Sequence, residues 1–251
     1  MKKFFLLACM LVAIHSMSQV AGPMYVAIKT GLSMRESKDA GAKVLVKIPY
    51  GTKITINYPD DIVNISTENL EGAWAKTSYN GKVGYVVNSY LLPWPPPKSS
   101  VQTMKQYLAQ ISPAAGVPVV VKKGSLLNIE EGGSVLKKQL FKNGSEYHEE
   151  LFYEANNDTY FLPDFTMQQG FILLRLIPEF NQVFAAADVF PNADKTTQRF
   201  GNDYVIKVEK EKLGESDWIK RINITFVDGA SYDFEMFQLG NQLIIGFGGG
   251  V

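Results

Sequence analysis

Residues 73–92 read AWAKTSYNGKVGYVVNSYLL. Two β-prone runs, Trp74 to Ser78 and Lys82 to Val87, flank Tyr79-Asn80-Gly81. Asn and Gly both accept positive φ, so Asn-Gly between such runs predicts a tight hairpin. Asn88 to Leu92 then closes the stretch. Working outward, Tyr25–Ile28, Lys43–Ile48 and Lys53–Ile56 are further short strands, and the second of these sets Val44, Val46 and Ile48 on one face. Pro49-Tyr50-Gly51 turns the chain, and residues 58–72 read as a polar loop rich in Asp, Asn and Glu. Five short strands in so few residues suit a small barrel, whose closure removes exposed sheet edges.

GLSMRES at 31–37, PYGTKITI at 49–56 and the pattern W-x-K-x-x-Y-N-G-K-x-G-Y-V-x-x-x-Y-L from Trp74 to Leu91 resemble the bacterial Src-homology-3 (SH3) domain. Two features depart from it: Ser33, where the family often has asparagine, and the enlarged 58–72 loop. The resemblance implies an SH3-like barrel over residues 23–92. It also implies a secreted, non-catalytic binding module of a kind often attached to cell-wall hydrolases and often reading murein peptides. If the family topology holds, Gly31–Ser37, the 58–72 loop and Asn88–Tyr90 gather near one groove. The candidate ligand-binding residues are Arg35, Tyr79, Asn88 and Tyr90. Arg35 would pair with a ligand carboxylate, and Tyr79 or Tyr90 would stack on an apolar stem or a sugar face. The plainer alternatives are an internal ion pair for Arg35 and a packing role for Tyr90. Trp74 and Tyr85 are expected to pack inside.

Residues 1–18 have the layout of a cleavable signal peptide: Lys2-Lys3, an apolar run from Phe4 to Ile14, then Ser16-Met17-Ser18. Leu6-Leu7-Ala8-Cys9 superficially resembles a lipoprotein box but lies too early, so soluble export to the periplasm or medium is preferred over a lipid anchor. The chain carries 25 basic and 25 acidic residues. Such a balance offers no general field for nucleic acid. The lone cysteine, Cys9, and one of the two histidines, His15, fall within the signal. A mature chain starting near Gln19 would then have no disulfide, no thiolate metal site and no cysteine nucleophile. No metal and no cofactor is expected.

Residues 93–98, PWPPPK, read as a stiff proline-rich linker with few contacts across it, or else as a segment folding back onto the barrel's aromatic groove. Residues 99–251 read as an α+β domain of no recognised family: one N-terminal helix and an antiparallel meander of seven or eight strands. Ser99 and Gln102 suggest a capping box ahead of the stripe Val101, Met104, Leu108 and Ile111. Phe171–Ile177 reads as a buried strand, with Gln182–Val189 as its partner. Leu151–Tyr153 and Tyr160–Leu162 flank a turn at Asn156–Asp158, and the glycine-rich end reads as a frayed terminus.

Two patterns bear on catalysis. Ser134-Val135-Leu136-Lys137 matches S-x-x-K, but without the companion motifs it reads as surface structure. Glu146, His148, Glu149, Glu150, Glu154, Asp158 and Asp164 supply carboxylates from which a glycoside-cleaving pair could be drawn. A solvated hairpin face is the simpler reading. The leading expectation is therefore an exported binding protein recognising a cell-wall peptide or glycan, or another envelope component such as an envelope protein. The alternatives are a wall hydrolase using carboxylates in residues 99–251, and a structural protein whose barrel only packs on its partner domain.

Overall fold

The computed structural model describes residues 22–124, 133–213 and 216–250, so the expected signal segment lies outside the described residues. The protein is mainly β, an SH3-like barrel followed by an antiparallel meander. The barrel strands are β1 (Pro23–Val26), β2 (Leu32–Arg35), β3 (Val44–Ile48), β4 (Lys53–Thr55), β5 (Asn64–Thr67), β6 (Leu70–Tyr79), β7 (Lys82–Val87) and β8 (Leu91–Leu92). They form two small sheets, ordered β4-β1-β8 and β3-β2-β7-β6-β5. Val26, Leu32, Met34, Ile48, Ile54, Ala75, Val86 and Leu91 meet inside. Asn80 (φ 49°) and Gly81 (φ 72°) make the β6–β7 turn with both residues left-handed, as the Asn-Gly pair predicts.

Two barrel expectations are corrected. Val44 is exposed, because a register shift at Met34/Arg35 sets Arg35 opposite Val44 and Met34 opposite Val46, and Leu45 packs on the core instead. Residues 58–72 are not simply a loop. They contain β5 and the start of β6, joined by Glu68 (φ 55°) and Asn69 (φ 60°). Asparagine tolerates that conformation, but for glutamate it is strained. Tertiary bonds hold the turn: Phe190 N donates to Glu68 O (2.9 Å), Asn69 Nδ2 to Phe190 O (3.1 Å), and Arg175 Nη1 to Glu68 Oε2 (2.6 Å).

The proline run is tied to both of its neighbours. Tyr50 Oη donates to Pro97 O (2.8 Å), and Gln110 Nε2 donates to Pro96 O (3.1 Å). Helix α1 (Met104–Ile111) begins after Thr103, not Ser99; Thr103 and Gln106 complete the capping box. Val101 and Leu108 are buried as predicted, and Glu179 Oε2 accepts from Met104 N (2.7 Å) as a second cap supplied by a distant segment.

The second sheet has nine strands: β9 (Val119–Lys123), β10 (Val135–Leu140), β11 (Glu146–Leu151), β12 (Ala155–Pro163), β13 (Lys195–Arg199), β14 (Asn202–Leu213), β15 (Ser216–Val227), β16 (Ser231–Leu239) and β17 (Gln242–Gly250). Their order is β13-β14-β15-β16-β17-β12-β11-β10-β9. The glycine-rich end is no frayed terminus but strand β17, paired on both sides. Its glycines permit that position. A Cβ on Gly248 would lie 2.6 Å from Asn156 O, and one on Gly249 would lie 2.8 Å from the Tyr232 ring. Asn156–Asp158 accordingly sits inside β12, and the turn falls at 152–154.

Residues 171–177 are not a strand either. Helix α2 (Met167–Leu174) carries a Thr166–Gln169 capping box and buries Phe171, Ile172, Leu173 and Leu174. Its buried residues 170–174 follow one another without an amphipathic period, which is why the apolar run reads as a buried strand. Gln182–Val189 forms no partner strand. Phe171 packs edge-on against Phe184 (5.0 Å between centroids) and Phe190 (5.6 Å).

The expectation of few contacts across the proline run fails. Ala27, Leu70 and Leu92 of the barrel join one hydrophobic core with α1, α2 and the meander, and Tyr90 and Trp94 pack against it. Gln169 Nε2 also donates to Leu91 O (3.3 Å). The barrel's second face is apolar and needs a cover, and α2 supplies it. Among the described residues no helix is long and apolar enough to cross a membrane.

Candidate functional site

The barrel groove is built by β2 and its approach. Gly31 (φ 83°) makes the tight turn into β2. Alternation along that strand buries Leu32 and Met34 and turns Ser33 and Arg35 outward. Ile65 and Thr67 of β5, Trp74 of β6 and Tyr90 from the 3₁₀ turn at Asn88–Tyr90 complete a groove of about 280 Å³. Its lining contains two cations, Arg35 and Lys47, and no acid. Arg35 Nη1 donates to Ala42 O (2.6 Å), and among the described residues its guanidinium has no carboxylate partner. One edge of the fork is thus pinned, leaving other N–H groups to meet an anion. Trp74 is almost fully buried and forms part of the wall, whereas Tyr85, expected inside, is only half-buried.

Tyr90 is half-buried between the two cores. Burial, with the nearby Glu68 carboxylate, pushes its hydroxyl pKa up, and Arg175 partly offsets this. Tyr90 therefore stays a neutral hydroxyl at physiological pH. The structure thus brings Arg35 and Tyr90 to one groove with the Gly31–Ser33 segment and part of the 58–72 region. Tyr79 and Asn88 do not line it. Tyr79 sits at the end of the β6–β7 hairpin, packed on the barrel core. Asn88 opens to a different cleft, with Oδ1 accepting from Ala73 N (2.8 Å) and Nδ2 donating to Tyr58 Oη (2.7 Å). Lys47 also lines the groove and is not among the sequence candidates, because an exposed lysine on a strand carries no motif.

The carboxylates of the second sheet take several environments. Tyr147 Oη donates to Asp158 Oδ1 (2.9 Å), and the Lys105 ammonium lies 4.9 Å from the Tyr147 ring centroid. Burial, then the neighbouring Glu149, holds the Asp158 carboxyl above the usual range. Glu179 is also raised, chiefly by burial, although Met104 N–H opposes the shift. Glu146 instead lies 2.6 Å from Lys138 Nζ and 3.1 Å from His148 Nε2, and these partners outweigh burial and lower its pKa. Ser134 Oγ donates to Glu150 Oε1 (2.6 Å), and Lys137 pairs with Glu149 (3.4 Å). Ser134 directly precedes β10, and residues three apart on a strand face opposite sides, so this S-x-x-K lacks the helical spacing its chemistry requires. Among the described residues no group of three or more His, Cys, Asp and Glu side chains is placed to hold a metal ion.

Residues 30–91 match the family model described as the bacterial SH3 domain. No curated protein and no solved structure matches the chain. Motif spacing, barrel topology and the family match coincide over the same segment, so residues 30–91 are a bacterial SH3 domain, and the rest of the chain is assigned to no family.

Proposed function

We propose that this is an exported, non-catalytic binding protein whose barrel takes a carboxylate-bearing peptide of the cell wall in the Arg35–Tyr90 groove. The observation that carries the reading is the groove itself, which has two cationic side chains, an aromatic wall and no acid. Bacterial SH3 domains commonly bind cell-wall components, which supports the same class of ligand. Arg35 would supply charge-assisted hydrogen bonds to a terminal or side-chain carboxylate, and the Tyr90 ring would lie along the apolar part of the peptide.

The test is a pull-down on purified murein with wild type, Arg35→Ala and Tyr90→Phe, each checked for an unchanged melting temperature. Arg35→Ala should lower affinity about ten- to hundred-fold, corresponding to roughly 1–3 kcal/mol. Tyr90→Phe keeps the ring and should cost less. Failure of wild type to bind murein or its peptides would end this reading. Export rests on the signal layout at residues 1–18. Mass spectrometry of the exported chain should find Gln19 at or near its N-terminus and no lipid on Cys9.

A further inference from the structure

A second, larger cleft of about 800 Å³ lies where the barrel meets the meander, within the usual size range of small-ligand sites. Tyr58 and Ser89 belong to its barrel wall, and Gln168, Gln238 and Trp218 to the opposite wall. Trp218, on β15, is 46% exposed despite its size. The polar groups are mostly uncharged and only partly engaged. Gln238 Nε2 donates to Phe165 O (3.1 Å), and among the described residues its Oε1 accepts nothing. Asn88 Nδ2 donates to Tyr58 Oη, so the Tyr58 hydroxyl proton is directed elsewhere, and no acceptor meets it among the described residues. Gln168 makes no side-chain hydrogen bond among the described residues. Ser89 is 8% exposed, and among the described residues its Oγ has no hydrogen-bond partner.

We propose that this cleft binds a neutral oligosaccharide. Sugars present many hydroxyls, each both donor and acceptor, and so suit side-chain amides and hydroxyls with spare capacity. Their flat C–H faces suit an exposed indole. The charged residues of the cleft, Glu71, Lys210 and Asp217, form no ion pair among the described residues, and their mixed signs offer no general attraction for a polyanion. The cleft is separate from the Arg35–Tyr90 groove, and the proposal does not depend on that groove binding anything.

The experiment titrates the full mature chain with chitotetraose and with cellotetraose, reading tryptophan fluorescence and calorimetric heat. Saturable binding of at least one, with a Kd of about 1 mM or tighter, is expected. Trp218→Ala should weaken it at least about ten-fold. Gln168→Ala and Tyr58→Phe should each weaken it several-fold, and Arg35→Ala should leave it unchanged within two-fold. Tyr58→Phe removes one oxygen only, so it reports on the site even if Trp218→Ala unfolds the chain. No saturable binding of either sugar overturns the proposal. So does equal affinity across the cleft variants, or binding of a wall stem peptide in place of sugar that is lost with Trp218→Ala. Loss of murein peptide binding in Arg35→Ala, with sugar binding intact, would separate the two sites.

Discussion

Leu70 is fully buried, and its neighbours belong to the core shared with α2 and the meander rather than to the barrel's own core. Leu70→Ala therefore tests whether barrel and meander melt as one body. Truncating a fully buried leucine to alanine costs about 2–5 kcal/mol, the transfer of the lost methyl groups plus the cavity left behind. In a cooperative unit of 150–250 residues each kcal/mol moves the melting temperature about 2–4 °C, so a drop of roughly 4–20 °C is expected. Differential scanning calorimetry of residues 19–251 should show one transition, displaced as a whole in Leu70→Ala. The segment 22–98 expressed alone would expose Ala27, Leu70 and Leu92. Two leucines, at about 1.5–3 kcal/mol of burial each, are a large share of the stability of a small barrel. The isolated segment should accordingly melt well below the full chain. Two separate transitions, with Leu70→Ala shifting only the barrel's, would refute the shared core. So would a shift below about 2 °C.

The pH response of the buried carboxyls has a definite sign. Asp158 and Glu179 have raised pKa values in the fold, so their contribution is fully present below the unfolded pKa and is lost as pH rises through the folded value. Asp158→Asn keeps an acceptor for Tyr147 Oη and removes the charge; its melting temperature relative to wild type should be higher at pH 7, with the advantage vanishing near pH 4. Gly84→Ala would place a Cβ 2.5 Å from Arg35 O and 2.9 Å from Met34 Cγ, so a loss of about 1–3 kcal/mol in urea unfolding is expected where β7 crosses β2. Arg199 Nη2 donates to both Asp188 carboxylate oxygens (2.6 and 2.7 Å), Nη1 donates to Val183 O (3.4 Å), and the guanidinium lies 3.9 Å from the Tyr204 ring centroid. Arg199→Lys keeps the charge but loses the stacking and the second nitrogen that reaches Val183 O, and chemical denaturation should register a cost of about 1 kcal/mol.

The sequence alone determined the features that depend on local conformational preference. Asn80-Gly81 specifies the β6–β7 turn because both residues accept positive φ, and the alternation of Leu32, Ser33, Met34 and Arg35 decides which side chains turn outward. Tertiary structure decided the features whose stabilising partners lie far along the chain. Glu68-Asn69 carries no strong turn signal, and its left-handed backbone is held by Phe190 and Arg175, more than 100 residues away. Thr103 outcompetes Ser99 as the α1 cap with help from Glu179, which approaches across the fold. Residues 171–177 have an apolar run compatible with strand or helix, and the unbroken burial of Phe171 to Leu174 removes the period that would distinguish them. The glycines of β17 resemble a loose end until Tyr232 and the β12 backbone come close enough to exclude any Cβ. For the candidate site, the motif places Arg35 and Tyr90, but only the folded barrel separates them from Asn88 and brings Lys47 alongside. Groove membership depends on strand register and on which sheet face is covered, and these are properties of the whole packing rather than of any one segment.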